Sequence, residues 1–190
     1  MPRLKILVAD DEAIIRLGLK TMLTELGHEV LLANNGREAL NVIRLQQPDL
    51  ALLDIQMPLT TGLEAAKVIA RKHPMPILIL TAYSDQAFIE QAAALPIQGY
   101  LIKPVNERDL AAAIPVALAR FREAQAQAQA NAELKETLET RKWVDRAKGV
   151  LMKQGLSEDE AYLKLQNLAR EKRISMRQVA EEVVNQPFTR

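Results

Sequence analysis

The sequence predicts an open, doubly wound α/β domain with a five-stranded parallel sheet, followed by a long helix and a small three-helix bundle. Three observations carry that expectation. Over residues 1–115, five short aliphatic runs alternate with longer amphipathic segments, the pattern of parallel strands covered by helices on both faces. Near Pro115 the composition shifts to a stretch rich in Ala, Gln, Glu and Lys, without Gly or Pro. The last fifty residues then carry two capping-box motifs and a glycine stop, the punctuation of short helices.

Taken in order, "LKILVA" (4–9), "EVLLA" (29–33), "LALLD" (50–54), "PILIL" (76–80) and "GYLI" (99–102) read as buried strands. Helix-spaced apolar positions mark residues 13–26, 36–46, 62–72 and 85–94, and a fifth helix begins near Glu107. Residues 116–139 form a helical linker in which Leu118, Phe121, Gln125 and Ala128 fit one heptad register and Leu134 and Leu138 another. This partial seam suits either a thin coiled coil, with a homodimer through residues 116–145, or a solvated spacer helix. Residues 140–190 make the third segment. Its first helix runs from about Thr140 to Gln154 and stops at Gly155, "SEDE" opens a second and "SMRQ" a third. Trp143, Val150, Leu151, Tyr162, Leu165, Leu168 and Val179 are its expected core.

The totals exclude several classes. The chain has no cysteine, which removes disulfides, thiolate metal sites and cysteine nucleophiles. The N-terminus lacks signal-peptide organisation, and no apolar run approaches the roughly 18 residues of a membrane span; a cytoplasmic protein without membrane contact is expected. Charge is unevenly divided. Residues 1–115 hold 11 basic and 13 acidic residues, whereas residues 141–177 hold 10 and 5, so a basic module follows a mildly acidic one.

Functional side chains in a doubly wound sheet gather at the carboxyl ends of the strands. Asp10 and Asp11 follow the first strand, Asp54 ends the third, Thr81 follows the fourth and Lys103 the fifth. Three carboxylates at one crevice repel one another unless a cation is present, and Mg²⁺ with retained waters suits such oxygen donors. With Mg²⁺ and Lys103 balancing three carboxylates, the site is suited to accepting a phosphoryl group on a carboxylate oxygen. Phosphate on Asp54 adds negative charge; Thr81 can move inward to donate to it, and Tyr100 can follow into the vacated space, a two-state packing change.

With "VADDE", "LLDIQMP", "TGLE", "LTAY" and "GYLIKP" in place, residues 1–115 resemble a response-regulator receiver domain. The resemblance makes Asp54 the acceptor of phosphate from a sensor histidine kinase. It implies Mg²⁺ bound by Asp11, Asp54 and the backbone carbonyl of Gln56, with Asp10 assisting. Lys103 would contact the phosphoryl group, Thr81 and Tyr100 would form the switch pair, and the Lys103–Pro104 bond would be cis.

The tail decides the output. "RAKGVLM", "SEDEAYLKL" and "ISMRQVAEEVV" resemble the ANTAR domain of transcription antitermination regulators over about residues 134–188, which implies binding to RNA hairpins and promotion of read-through, with RNA polymerase a candidate partner. Lys148 is the leading RNA-contact candidate; Arg141, Arg146, Lys153, Arg173 and Arg177 follow from charge. Gly149 lies inside a predicted helix, where glycine costs about 1 kcal/mol relative to alanine. Either close packing or approach of RNA to a bare helix surface accounts for it. A phosphorylation-controlled DNA-binding regulator and a protein-docking switch are the competing classes. No enzymatic output is expected, because the tail lacks His, a Gly-rich phosphate loop and a paired nucleophile and base.

Overall fold

The computed structural model describes residues 2–82 and 95–185, which fall into two compact units, 1–124 and 125–190. In the first unit, strands β1 (Lys5–Ala9), β2 (Glu29–Ala33), β3 (Leu50–Asp54), β4 (Ile77–Thr81) and β5 (Gly99–Ile102) form one sheet in the order β2-β1-β3-β4-β5. Every neighbouring pair is parallel. Helices α1 (Ala13–Glu25), α2 (Gly36–Gln46) and α3 (Gly62–Lys72) follow the first three strands. The helix expected over residues 85–94 lies outside the described residues.

The aliphatic strands serve two cores at once. Alternate side chains point to opposite faces, so Leu7, Leu53 and Ile79 join α2 and α3 in one buried cluster. Ile6, Val8, Leu52 and Leu80 join α1 and the first turns of the next helix in the other. A strand buried on both faces has no reason to alternate polar and apolar residues, which is why these read as unbroken aliphatic runs.

That next helix, α4 (Glu107–Met152), is continuous for 46 residues and contains Pro115. The composition shifts near this proline, and the helix passes through it. Proline removes a helical N–H and usually disturbs a helix interior. Here Leu110, Ile114 and Ala117 are anchored in the sheet's core on either side of it, and the Ala-rich sequence beyond favours helix. Leu118 also packs, partly buried, against that core. Leu134 and Leu138 are exposed.

In the second unit, α5 (Glu158–Lys172) and α6 (Met176–Asn185) pack with the end of α4. Ser157 and Glu160 form a reciprocal capping box, and Ser175 and Gln178 exchange the equivalent bonds at 2.9 and 3.2 Å. Val144, Ala147, Leu151, Ala161, Leu165, Val179 and Ala180 are the core. Tyr162, expected inside, is 46% exposed: Ala161 and Leu165 supply the inward stripe of α5, and Tyr162 lies off it.

His28 is buried just before β2, its Nδ1 accepting the Leu4 N–H at 3.3 Å. Burial lowers its pKa from 6.5, so the fold favours neutral imidazole. The stabilisation is therefore present above pH 6.5 and is lost as pH falls below it. Urea midpoints at pH 7.5 and 5.5 should differ more for the native protein than for His28→Phe, which cannot titrate; equal pH dependence would refute the assignment.

Candidate functional site

Strand register brings the site together. Ala9 pairs with Leu53 and Thr81 with Ile102, so Asp10, Asp54, Thr81 and Lys103 all emerge at the carboxyl edge of the sheet. Lys103 Nζ lies 2.7 Å from Asp10 Oδ2 and 2.6 Å from Asp54 Oδ1, bridging two carboxylates that are 0% and 6% exposed. Asp54 Oδ2 accepts the Gln56 N–H at 3.0 Å. Thr81 is buried, its hydroxyl donating to the Ala82 carbonyl at 3.1 Å. Tyr100 is half-buried against the core on the α2–α3 side of the sheet, and burial raises its phenol pKa. The Lys103–Pro104 peptide is cis.

Electrostatics within the pocket are unequal. Burial raises the Asp54 carboxyl pKa above its ordinary value, with the neighbouring Asp10 pushing the same way and Lys103 only partly opposing. Burial alone would lower the Lys103 ammonium, but its hydrogen bonds to Asp10 and Asp54 outweigh that and hold it above its usual range. Asp54 is thus a desolvated carboxylate oriented by a cation and a backbone amide.

Asp11 departs from the expected three-carboxylate cluster. It is exposed, and among the described residues no three carboxylate or imidazole side chains gather as a preformed metal cage. The physical reason is charge: Lys103 already bridges Asp10 and Asp54, and a third carboxylate drawn in beside them would be repelled. The donor set still fits a hard divalent cation, because the two carboxylates of Asp10 and Asp54 face one ammonium, and Asp11, next in the chain, and the Gln56 carbonyl add only further oxygen donors.

Three residues of the site carried no assigned role in the sequence. Arg16 Nη1 donates to the carbonyls of Asp10 at 2.7 Å and Asp11 at 2.9 Å, holding the acidic loop. Its signal was a cation on α1 one turn beyond the paired acids. A Cβ on Gly62 would lie 2.0 Å from the Asp54 carbonyl oxygen, and one on Gly36 would lie 2.4 Å from that of Thr60. These glycines let α3 and α2 close on the loop after β3. Within that loop Leu59 has a φ of 67° and is 76% exposed, with the Thr60 N–H bonded to the Pro58 carbonyl at 2.8 Å.

The tail candidates separate by their surroundings. Lys148 Nζ pairs with Glu158 at 2.7 Å and Asp145 at 3.2 Å, and its side chain is only 17% exposed. It ties α4 to α5. Arg177 pairs with Glu181 at 2.8 Å. Arg141, Lys153 and Arg173 are exposed, and the Arg146 guanidinium stacks 5.4 Å above the Trp143 ring centroid. A Cβ at Gly149 would meet nothing within 4 Å, so the close-packing account of this glycine does not hold.

A buried carboxylate, a bridging lysine and a buried hydroxyl at the ends of a 2-1-3-4-5 sheet are the arrangement of a receiver. Residues 6–115 match the response regulator receiver domain and residues 132–184 the ANTAR domain; the chain belongs to the response regulators that combine the two. It is 43% identical over 186 residues to the transcriptional regulatory protein PdtaR of Mycobacterium tuberculosis, covering 97% of this chain and 90% of that one. A probable transcriptional regulator, ycf27, of Guillardia theta is 38% identical over 63% of this chain and 47% of its own length. Among solved structures, a response regulator receiver domain protein from Clostridium thermocellum superposes with a TM-score of 0.59 at 33% identity, covering 63% of this chain and 98% of that one. The chemotaxis response regulator CheY4 of Vibrio cholerae gives 0.57 at 31%, covering 62% and 100%. Receiver domains typically use Mg²⁺ and a kinase partner, ANTAR domains imply an RNA partner, and the family is typically non-enzymatic. Among the described residues no helix is long and apolar enough to cross a membrane.

Proposed function

We propose that this protein is a phosphorylation-controlled regulator that binds RNA hairpins and promotes transcription antitermination, with Asp54 accepting phosphate from a histidine kinase. The observation that carries the reading is Lys103 bridging Asp10 and Asp54 at the sheet edge, in a chain whose other unit is an ANTAR domain.

In the transfer, an Asp54 carboxylate oxygen attacks the phosphorus of a phosphohistidine donor. The new O–P bond replaces the N–P bond, and the imidazole leaves with its electron pair. Asp10, Asp11, Asp54 and the Gln56 carbonyl would hold Mg²⁺, which supplies Lewis-acid stabilisation of phosphoryl oxygens. The Lys103 ammonium, held above its usual pKa, stays charged to share that role. The Gln56 amide and Lys103 orient the attacking carboxylate. Thr81 turns its hydroxyl from the Ala82 carbonyl to the phosphoryl group, and Tyr100 follows, altering the receiver's surface.

The kinase approaches along α1, where Ile14 and Leu17 are 79% and 61% exposed. A hollow of about 180 Å³ there is lined in part by Ile15, Met22, Lys103 and Pro104. Output follows if the altered surface favours a homodimer that presents two ANTAR units to paired hairpins, gaining affinity through effective concentration. Fluorescence anisotropy of an RNA with two adjacent small-loop hairpins tests this. Binding should tighten with Mg²⁺ and beryllofluoride, and duplex DNA should not compete. Preference for DNA, or equal affinity with and without the phosphoryl mimic, would overturn it.

A further inference from the structure

From the geometry of α4 and the turn that ends it we infer that the RNA strand runs along one stripe, Lys142–Arg146–Gly149–Lys153, with Gly149 as the point of closest approach. The inference rests on the RNA-binding reading and identifies the surface that performs it.

Lys142, Arg146 and Gly149 are spaced four and three apart and share one helix face, and Lys153, just past the last residue of α4, continues it, its N–H still bonded to the Gly149 carbonyl at 3.3 Å. Val144, Ala147 and Leu151, the α4 residues of the unit's core, project from nearly the opposite side. Lys142, Arg146 and Lys153 are exposed. Over about 16 Å of helix at 1.5 Å per residue, the stripe sets three cations in a row, a length suited to successive phosphates of a single strand. Asp145 is engaged with Lys148; Glu139 pairs with Lys142 of the stripe at 2.8 Å, but both side chains are exposed, and such a pair is weak enough for a phosphate to replace the carboxylate. Trp143 lies under the Arg146 guanidinium and limits its freedom, lowering the entropy lost when it meets a phosphate.

Gly149 gives the stripe its shape. It sits inside the helix, without a positive φ, and an added Cβ would meet open space. Neither backbone conformation nor packing asks for glycine there. A bare patch between Arg146 and Lys153 lets a sugar or phosphate lie directly on the helix backbone, which a side chain would hold away. Lys148 lies off this stripe and is paired with Asp145 and Glu158; it holds two helices together.

The test uses the full chain and the labelled two-hairpin RNA, with thermal melts of each variant. Gly149→Ala should raise Tm yet weaken RNA binding about tenfold, the equivalent of one lost contact, and Gly149→Leu should weaken it further. Lys153→Gln should reduce the slope of log affinity against log salt by about 0.7–0.9, as expected for one phosphate contact. A more stable Gly149→Ala that binds RNA like the native protein, together with an unchanged slope for Lys153→Gln, would overturn the stripe while leaving RNA binding intact. A lowered Tm for Gly149→Ala would return the glycine to a packing role and also overturn it. Failure of the native protein to bind RNA would overturn the antitermination reading itself.

Discussion

Asp54→Asn is expected to reduce phosphate incorporation to background and, at neutral pH, to make the protein more stable. The loss follows from removing the attacking oxygen. The gain follows from burial: the folded-state pKa of Asp54 lies above its ordinary value, so folding favours the protonated acid. The favourable contribution is complete at pH values below the ordinary carboxylate pKa and is lost as pH rises through the raised one. At pH 7 the ionised group is one the fold would sooner not hold, and asparagine carries no such charge. Melting temperatures of the two proteins should therefore diverge as pH rises from 4 to 7, with the variant above. A variant that melts lower at pH 7, or a gap that does not change with pH, would contradict this account. With Asp54 as the acceptor proposed above, its reactivity and its cost to stability would have the same origin in a desolvated carboxylate.

Gly62→Ala should have the opposite effect on stability. Its Cβ would lie 2.0 Å from the Asp54 carbonyl oxygen, 2.9 Å from the carbonyl carbon and 3.4 Å from Ile55 Cα. All three are backbone atoms of the strand end and the residue after it, so no side chain can step aside. Overpacking costs typically 1–3 kcal/mol and occasionally more. With backbone opposing it, a loss of about 3 kcal/mol is expected, and Tm should fall by more than roughly 10 °C. Phosphorylation should slow as well, because relief requires α3 or the end of β3 to move. Urea unfolding and a phosphorylation time course check both parts; a loss below about 0.5 kcal/mol, the range of an ordinary surface change, would show that the contact relaxes easily. The same substitution at Gly149 should instead stabilise its helix by about 1 kcal/mol. The chemistry is identical, and only the space around the new methyl group differs.

Much of the fold was legible because its signals are local. Strand runs such as "LALLD" need only their own residues to be recognised, and the boxes at Thr61–Glu64 and Ser157–Glu160 are set by a spacing of three. The pocket residues Asp10, Asp54, Thr81 and Lys103 were readable because parallel strands place their carboxyl ends at one edge. Other features depend on atoms distant in the sequence. Tyr162 has the composition of a core residue, yet its place on α5 is decided by where Ala161 and Leu165 meet their neighbours. Lys148 reads as the leading RNA-contact candidate until Glu158, ten positions away, is seen beside it. That the helix runs on through Pro115 shows only once Ile114 and Ala117 are found anchored in the sheet's core.

By itself the sequence determined the sheet, the order of helices and the chemical types gathered at the strand ends, because hydrophobic periodicity and capping act over a few residues. The tertiary structure alone decided that Lys103 bridges Asp10 and Asp54 while Asp11 is exposed, that Arg16 holds the acidic loop, and that Gly62 is confined where Gly149 is open. Those outcomes turn on charge repulsion and on distances between atoms of different elements, and such distances exist only once the chain has packed.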